Sequence, residues 1–277
     1  MLVSLSTACL FPWPLSTVFA LAKEAGFDGV ELVVDAVVSG RGSDYVSRLI
    51  ETFQLPVLSV HPPIFPLPGW VEQKTRCLKT VELGNTLGCR WVVLHAPWPR
   101  SGRGATYRAA LEAIQWAQRA CSSGLNIALE NGRWYCTAPL GGTGIQDALA
   151  YLRHMENLAQ EQGWWLTLDT THAGSAGVDI MQAYELFKDR LVNIHLSDLC
   201  LKRWPGFLRQ LPLIYDNLVQ HTLPGRGVLP LKTLLGRLRA DHYRGLVTVE
   251  ASPLAFQVWS QSKVRGILRQ VLQLCRE

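Results

Sequence analysis

Eight short apolar runs punctuate the 277-residue chain, one roughly every 35 residues. They are residues 2–8 (LVSLSTA), 26–34 (GFDGVELVV, with Glu31 near its end), 56–60, 90–97 (RWVVLHAP), 126–131 (NIALEN), 164–168, 191–198 (LVNIHLSD) and 245–252 (GLVTVEAS). Each is bounded by turn residues and short enough for a strand. VVL, IAL, LTL and VTV are apolar without alternation, as expected of parallel strands buried on both faces. Between the runs lie longer segments of helical periodicity. Ser16 is placed to cap a helix that runs through Lys23 and closes at Gly26, and Ser43 opens one to Phe53. Further helices are predicted over 71–87, 105–121, 144–163, 178–188 and 230–240, with a last one running to about Cys275. Residues 199–229 form a longer loop. Eight strand-helix repeats predict an α/β fold, a closed (β/α)8 TIM barrel. Residues 1–277 read as one domain. An open doubly wound sheet would want a Gly-rich loop after the first strand, and none is present.

Composition narrows the setting. A hydrophobic fraction of 48% and a charged fraction of 18% suit a globular protein with a large core. The net charge of +5 permits anionic substrates without demanding them. The seven cysteines form no CxxC pair or regular framework, so reduced thiols and a cytoplasmic location are expected. The apolar N-terminus has no Lys or Arg before Lys23 and is split by Pro12 and Pro14, so strand and helix describe it better than a signal peptide. No apolar run is long enough to span a membrane.

Barrel active sites are built from the C-terminal ends of the strands. Those ends carry His61, His95, Glu130, Asp169 with His172 in the loop just after it, His195, His221 and Glu250. His154 and His242 fall at helix and helix-end positions and read as surface residues. An isolated Asp before a Thr-rich turn, such as Asp169, is most simply a helix cap. Eight polar residues converging on one face are costly to bury without ions, water or hydrogen bonds, and a metal site accounts for them. Mixed imidazole and carboxylate donors suit Zn or Mn, with Mg, Co or Fe as further options, rather than Ca. Glu130, Asp169, His195 and Glu250 form a first candidate site. His61 and His95 could hold a second ion with Glu130, and His172 and His221 could hold a third or contact substrate. One to three ions are therefore expected.

The motifs GFDGVEL, LHAP, ALEN, LDTTHAG, NIHLSD, HTLPGRG and VTVEASP, in this order, resemble the xylose-isomerase-like TIM-barrel superfamily. It includes sugar phosphate isomerases and epimerases and AP endonucleases of the endonuclease IV type. The resemblance covers nearly the whole chain. It implies that Glu130, Asp169, His195 and Glu250 hold a central divalent metal. It implies that His61, His95, His172 and His221 match the further ligands of the endonucleases' three-zinc cluster. That cluster also uses an Asp two residues before its last His. Val219 stands there in this chain, so the third site is expected to lack its carboxylate.

The resemblance points to a metal-dependent isomerase or epimerase. Its substrate would be a sugar, sugar phosphate or related polyol or keto acid, and its reaction would pass through an enediolate. Glu130 and Glu250 would be both metal ligands and the acid/base pair, and His172 would orient a hydroxyl. Arg133, Arg226, Trp13 and Trp98 lie in loops after strands and are the candidate substrate contacts. The first alternative is a zinc-dependent phosphodiesterase acting on abasic DNA. Basic loop residues such as Lys202, Arg203 and Arg209 favour it, while Val219 and the lack of a basic stripe count against it. A non-catalytic metal-binding barrel is the second alternative. A small-molecule partner, no membrane, and DNA only under the first alternative are expected. Assembly into a homo-oligomer is left open.

Overall fold

A computed structural model describes residues 1–97, 104–132, 145–200 and 219–277. Eight parallel strands close into a barrel in chain order. They are β1 (Leu2–Ser6), β2 (Gly29–Val33), β3 (Val57–His61), β4 (Trp91–His95), β5 (Asn126–Glu130), β6 (Trp165–Asp169), β7 (Leu191–Leu196) and β8 (Leu246–Val249). β8 pairs with β1 from Leu2↔Leu246 to Leu5↔Val249, which closes the ring. The helices around it are α1 (Leu15–Ala25), α2 (Ala36–Phe53), α3 (Gln73–Thr86), α4 (Gly104–Ala120), α5 (Ile145–Gln162), α6 (Thr170–Ser175), α7 (Ile180–Phe187), α8 (Leu231–Ala240) and α9 (Gln261–Arg276). No helix among the described residues is long and apolar enough to cross a membrane.

The predicted rhythm of strands and helices is present, with three local differences. Ser16 lies inside α1 and caps nothing; Pro14 precedes the helix instead, its fixed φ suiting a helix entry. Gly26 does close α1, in the left-handed conformation. α2 begins at Ala36, with Asp35 accepting from the Val38 amide, and breaks at Gly42 (φ 71°) before the segment that Ser43 was expected to open. His172 sits not in a loop but in α6, a single short helix.

The strands alternate after all. Val3, Leu5, Val30, Leu32, Ile127, Leu129, Leu166, Leu168, Val247 and Val249 belong to the large core that the helices cover. The intervening positions include Ser4, Ser6, Glu31, Ser59, Thr167, Asn193 and Thr248, all buried and polar. Asn193 on β7 donates to Glu31 on β2 at 3.2 Å. These strands are not neighbours, so that bond crosses the barrel interior. A small apolar group of Trp91, Ala128, Val192 and Leu246, with Leu58 and Trp165 against it, includes the first residues of β4, β6 and β8 and plugs the N-terminal end. Above this plug the lumen is hydrophilic, where many barrels stack branched aliphatics. Side-chain hydrogen bonds make that burial tolerable.

Candidate metal centre

Strand register sets the site. His95 lies opposite Glu130, and Asp169 opposite His195; His95, Glu130 and Asp169 are the last residues of their strands and His195 the last but one. Glu250 follows β8, its amide donating to Leu196 O. Glu130, Asp169, His195 and Glu250 each offer one donor atom, all within 4.8 Å of one another. His61, His95 and Glu130 form a second such group, and Asp169, His172 and His221 a third. Every residue predicted for the metal centre is therefore brought into one of three adjoining groups. Glu130 joins the first two and Asp169 the first and third.

His61 and His172 are each fixed through one nitrogen. His61 Nδ1 lies 2.7 Å from Pro62 O, and His172 Nδ1 lies 2.8 Å from Asn131 O. A carbonyl only accepts, so both rings carry hydrogen on Nδ1 and turn the Nε2 lone pair outward. His61 Nε2 then lies 3.3 Å from Glu130 Oε2, with His95 Nε2 at 3.4 Å from the same oxygen. His195 is turned the other way. Its Nε2 lies 3.1 Å from Glu31 Oε2, and its Nδ1 lies 2.5 Å from Glu250 Oε2 and 3.4 Å from Glu130 Oε1. His221 Nδ1 is 3.2 Å from both Ser197 Oγ and Glu250 O.

Asp169 is a helix cap and a site residue together. Its Oδ1 accepts from the His172 amide at 2.6 Å, which starts α6, while Oδ2 is buried without a partner. His172 Nε2 is likewise buried without a hydrogen-bond partner, while His195 Nδ1 and Glu250 Oε2, and Glu130 Oε2 with the His61 and His95 Nε2 atoms, face only one another. An orphaned buried polar group costs about 1–3 kcal/mol, and an ion bound among these atoms would satisfy Asp169 Oδ2 and His172 Nε2 as well. Four carboxylates, Glu31, Glu130, Asp169 and Glu250, surround these imidazoles in the buried lumen. Such a donor set fits a divalent cation of the Zn or Mn type.

Protonation follows the same geometry. Burial pushes the Glu130 carboxyl up, but the imidazoles of His195, His95 and His61 outweigh it and hold Glu130 well below the usual carboxylate range. Glu250 likewise has burial opposed by His195 and sits at about 2. Burial wins at Asp169 and raises it to about 7. For His195, burial disfavours the imidazolium, yet Glu250, Glu31 and Glu130 lift it well above its ordinary value. Burial lowers His172, which keeps that ring neutral.

A family profile described as xylose isomerase-like TIM barrel matches residues 19–263. The chain belongs to that family. Its relatives include uncharacterized proteins of Mycobacterium leprae, 27% identical over 99% of this chain and 96% of the relative, and of Mycobacterium tuberculosis, 28% identical with the same coverage. Among solved structures, 3-keto-D-glucoside 4-epimerase from E. coli superposes with a TM-score of 0.64 at 20% identity, covering 99% of both chains. An AP endonuclease of family 2 from Brucella melitensis gives 0.69 at 16% identity, covering 99% of both chains. D-psicose 3-epimerase from Clostridium cellulolyticum H10 gives 0.69 at 13% identity, covering all of this chain and 98% of that one. These structural likenesses show a shared xylose isomerase-like barrel.

Within that barrel two expectations change. The third group does hold a carboxylate despite Val219, because Asp169 stands beside His172 and His221. Val219 itself is buried, its carbonyl accepting from the Cys200 amide. His154 is half-buried, with its Nε2 2.8 Å from the Tyr107 hydroxyl, rather than a free surface residue. Of the predicted substrate contacts, Trp13 is half-buried against the core, and Arg226 is exposed in the loop after β7. Trp98 and Arg133 lie outside the described residues, as do Lys202, Arg203 and Arg209.

Sequence reading left out two residues of the centre. Asn131 clamps Asp169 through both amide atoms, donating to Asp169 O at 3.0 Å and accepting from Asp169 N at 2.7 Å. Glu31 holds His195. The available signals were the Asn that follows Glu130 in ALEN, and a lone carboxylate inside the apolar run GVELV.

Proposed function

We infer that the chain is a metal-dependent isomerase or epimerase of a sugar or a related keto compound. The observation that carries this reading is the pair Glu130 and Glu250, both ionised and both directed at His195 Nδ1 in a shared centre. A divalent ion held by Glu130, Asp169, His195 and Glu250 would supply Lewis acidity to a substrate carbonyl. The carboxylates supply the proton transfer. One takes the proton from the carbon next to the carbonyl, and the electron pair left behind moves toward the carbonyl oxygen, giving an enediolate. Return of a proton to the same carbon from the opposite face completes epimerisation; return to the neighbouring carbon, with the hydroxyl proton passing from its oxygen to the former carbonyl oxygen, completes isomerisation. The acid for that step must first take a proton from solvent. Glu250, with its side chain 14% exposed against 2% for Glu130, is the residue that reaches it. His172, neutral and with Nε2 unpartnered, accepts from a substrate hydroxyl.

The mouth supports a small neutral substrate over a nucleic acid. The loops after β8, β1, β2 and β3 adjoin because β8 pairs with β1. Their residues 7–14, 34–40, 62–71 and 250–260 contain no Lys or Arg. Phe11, Ile64, Phe65, Leu254 and Trp259 are exposed there instead. Duplex phosphates need cationic contacts, whereas apolar faces suit the C–H faces of a sugar. The second reading, an AP endonuclease, draws on the second and third donor groups, which would allow three ions.

The test is solvent-deuterium incorporation next to the carbonyl in a panel of free ketoses and keto-glycosides, followed by proton NMR in D2O. Exchange is expected with at least one member, and it should vanish with chelator and in Glu130→Gln. Chelator-sensitive incision of an abasic duplex, with no exchange in any sugar, would replace this reading by the nuclease.

A further inference from the structure

His195 meets a carboxylate through Nε2, whereas His61 and His172 meet a backbone carbonyl through Nδ1. Glu31 is fully buried on β2 and reaches across the lumen to β7. Its Oε2 accepts from three donors, Ser59 Oγ at 2.7 Å, Asn193 Nδ2 at 3.2 Å and His195 Nε2 at 3.1 Å. Its Oε1 also lies 3.1 Å from that nitrogen. The chain of contacts continues downward. Thr248 Oγ1 donates to Asn193 Oδ1 at 2.8 Å and shares a 2.7 Å hydrogen bond with Ser4 Oγ. A network of five strands thus ends on one imidazole nitrogen.

We propose that Glu31 is a positioning residue that fixes the orientation and tautomer of His195, so that Nδ1 alone faces the ion. The proposal rests on the reading of Glu130, Asp169, His195 and Glu250 as a metal centre. Glu31 is an acceptor, so the nitrogen it meets must carry hydrogen. Nδ1 is then the nitrogen left for an ion: it lies beside Glu130 and Glu250, and a bound ion would take its lone pair in place of the proton that otherwise faces Glu250 Oε2 at 2.5 Å. Rotating the ring by half a turn would present carbon to Glu31 and strand Ser59 and Asn193 on an acceptor deprived of its third donor. Partners of this kind orient a ligating imidazole and raise its basicity, and losing one typically weakens metal binding 10–100-fold.

The experiment measures Zn²⁺ affinity of the metal-stripped protein by competition with a chromophoric chelator. It also records histidine ¹⁵N spectra of the Zn²⁺-loaded protein. Glu31→Leu is expected to bind about 10–100-fold more weakly and to lose the His195 Nε2–H signal. Glu31→Gln can keep its carbonyl oxygen among the three donors, so it should retain that signal with an intermediate affinity. Ser4→Ala, at the far end of the network, should lower the melting temperature and leave Zn²⁺ affinity unchanged. The proposal is overturned if Glu31→Leu binds Zn²⁺ within threefold of wild type or keeps the signal. Should that variant fail to fold, equal affinity of Glu31→Gln and wild type overturns it. Equal weakening by Ser4→Ala and Glu31→Gln would make the network merely structural and overturn it too. If wild type and Glu130→Gln bind Zn²⁺ alike, the metal centre itself is wrong, and the proposal falls with it.

Discussion

Asp198→Asn isolates the device that holds the loop carrying His221. Asp198 is fully buried just after β7. Its Oδ1 accepts from the amides of Leu199 at 2.8 Å and Leu229 at 3.0 Å, and its Oδ2 from those of Gly225 at 3.0 Å and Gly227 at 2.8 Å. Its backbone pairs both ways with Thr222, the residue after His221. Asparagine keeps one acceptor oxygen and turns an NH2 toward two N–H donors. Two hydrogen bonds to a charged acceptor are lost, each worth about 1.5–3 kcal/mol. Gly225 and Gly227 are exposed, so water recovers part of this, leaving about 2–3 kcal/mol. An unfolding entropy of about 0.6 kcal/mol/K for a chain of this length converts that into a melting temperature about 3–5 °C lower. Calorimetry checks the shift, and amide hydrogen exchange at Gly225 and Gly227 should lose its protection. A melting temperature within 1 °C of wild type, with protection retained, would refute the claim that this carboxylate pins the loop.

Four other outcomes are expected. Asn131→Ala leaves the buried Asp169 amide and carbonyl without their partners, and should cost about 2 kcal/mol by denaturant titration while weakening metal binding. Gly29→Ala would press a Cβ to 2.5 Å from Leu58 Cγ and 2.7 Å from Pro56 O, so an equilibrium unfolding loss of about 1–3 kcal/mol is expected. Burial pushes the thiols of Cys77 to about 11 and of Cys89 and Cys275 to about 12, so the folded chain holds these protons while the unfolded chain releases them near pH 9. Stability should therefore be intact below pH 8 and fall above pH 9 by up to about 4 kcal/mol per pH unit, and Cys89→Ala should flatten that slope in pH-resolved melts. Zn²⁺ at a hundred times its Kd should raise stability by about 2.7 kcal/mol, or about 4–5 °C, and calorimetry with Glu130→Gln should find that gain abolished.

The fold was legible because parallel strands that separate helices from a lumen show up as evenly spaced apolar runs. Six of the donor residues were legible because each stands at or beside a strand end, where a polar residue breaks an apolar run; His172, in α6, and His221, in the loop after β7, were legible from the motifs LDTTHAG and HTLPGRG. Glu31 was not, because the outward Val30 and Leu32 mask its inward position. The polar lumen was hidden for the same reason: each strand contributes only one or two small polar residues, and their meeting across the barrel has no sequence spacing. Asp169 completing the third donor group is likewise a fact of β6–β7 adjacency, since it stands 52 positions from His221 along the chain. Loop contacts to substrate, such as those expected of Trp13 and Arg226, depend on loop conformation, which periodicity does not encode.

Asp169 combines a helix cap and a candidate metal donor in one carboxylate. Oδ1 starts α6 and so fixes the carboxylate plane; Oδ2, unpartnered, faces the other donors. The same division recurs at His61 and His172, where a backbone carbonyl fixes one nitrogen and leaves the other free. The centre therefore takes most of its geometry from strand ends and backbone acceptors, with His221 supplied by the loop that Asp198 pins. A centre built this way can stay constant while the loops change what reaches it. That is why a barrel shared with epimerases and an AP endonuclease does not choose between them.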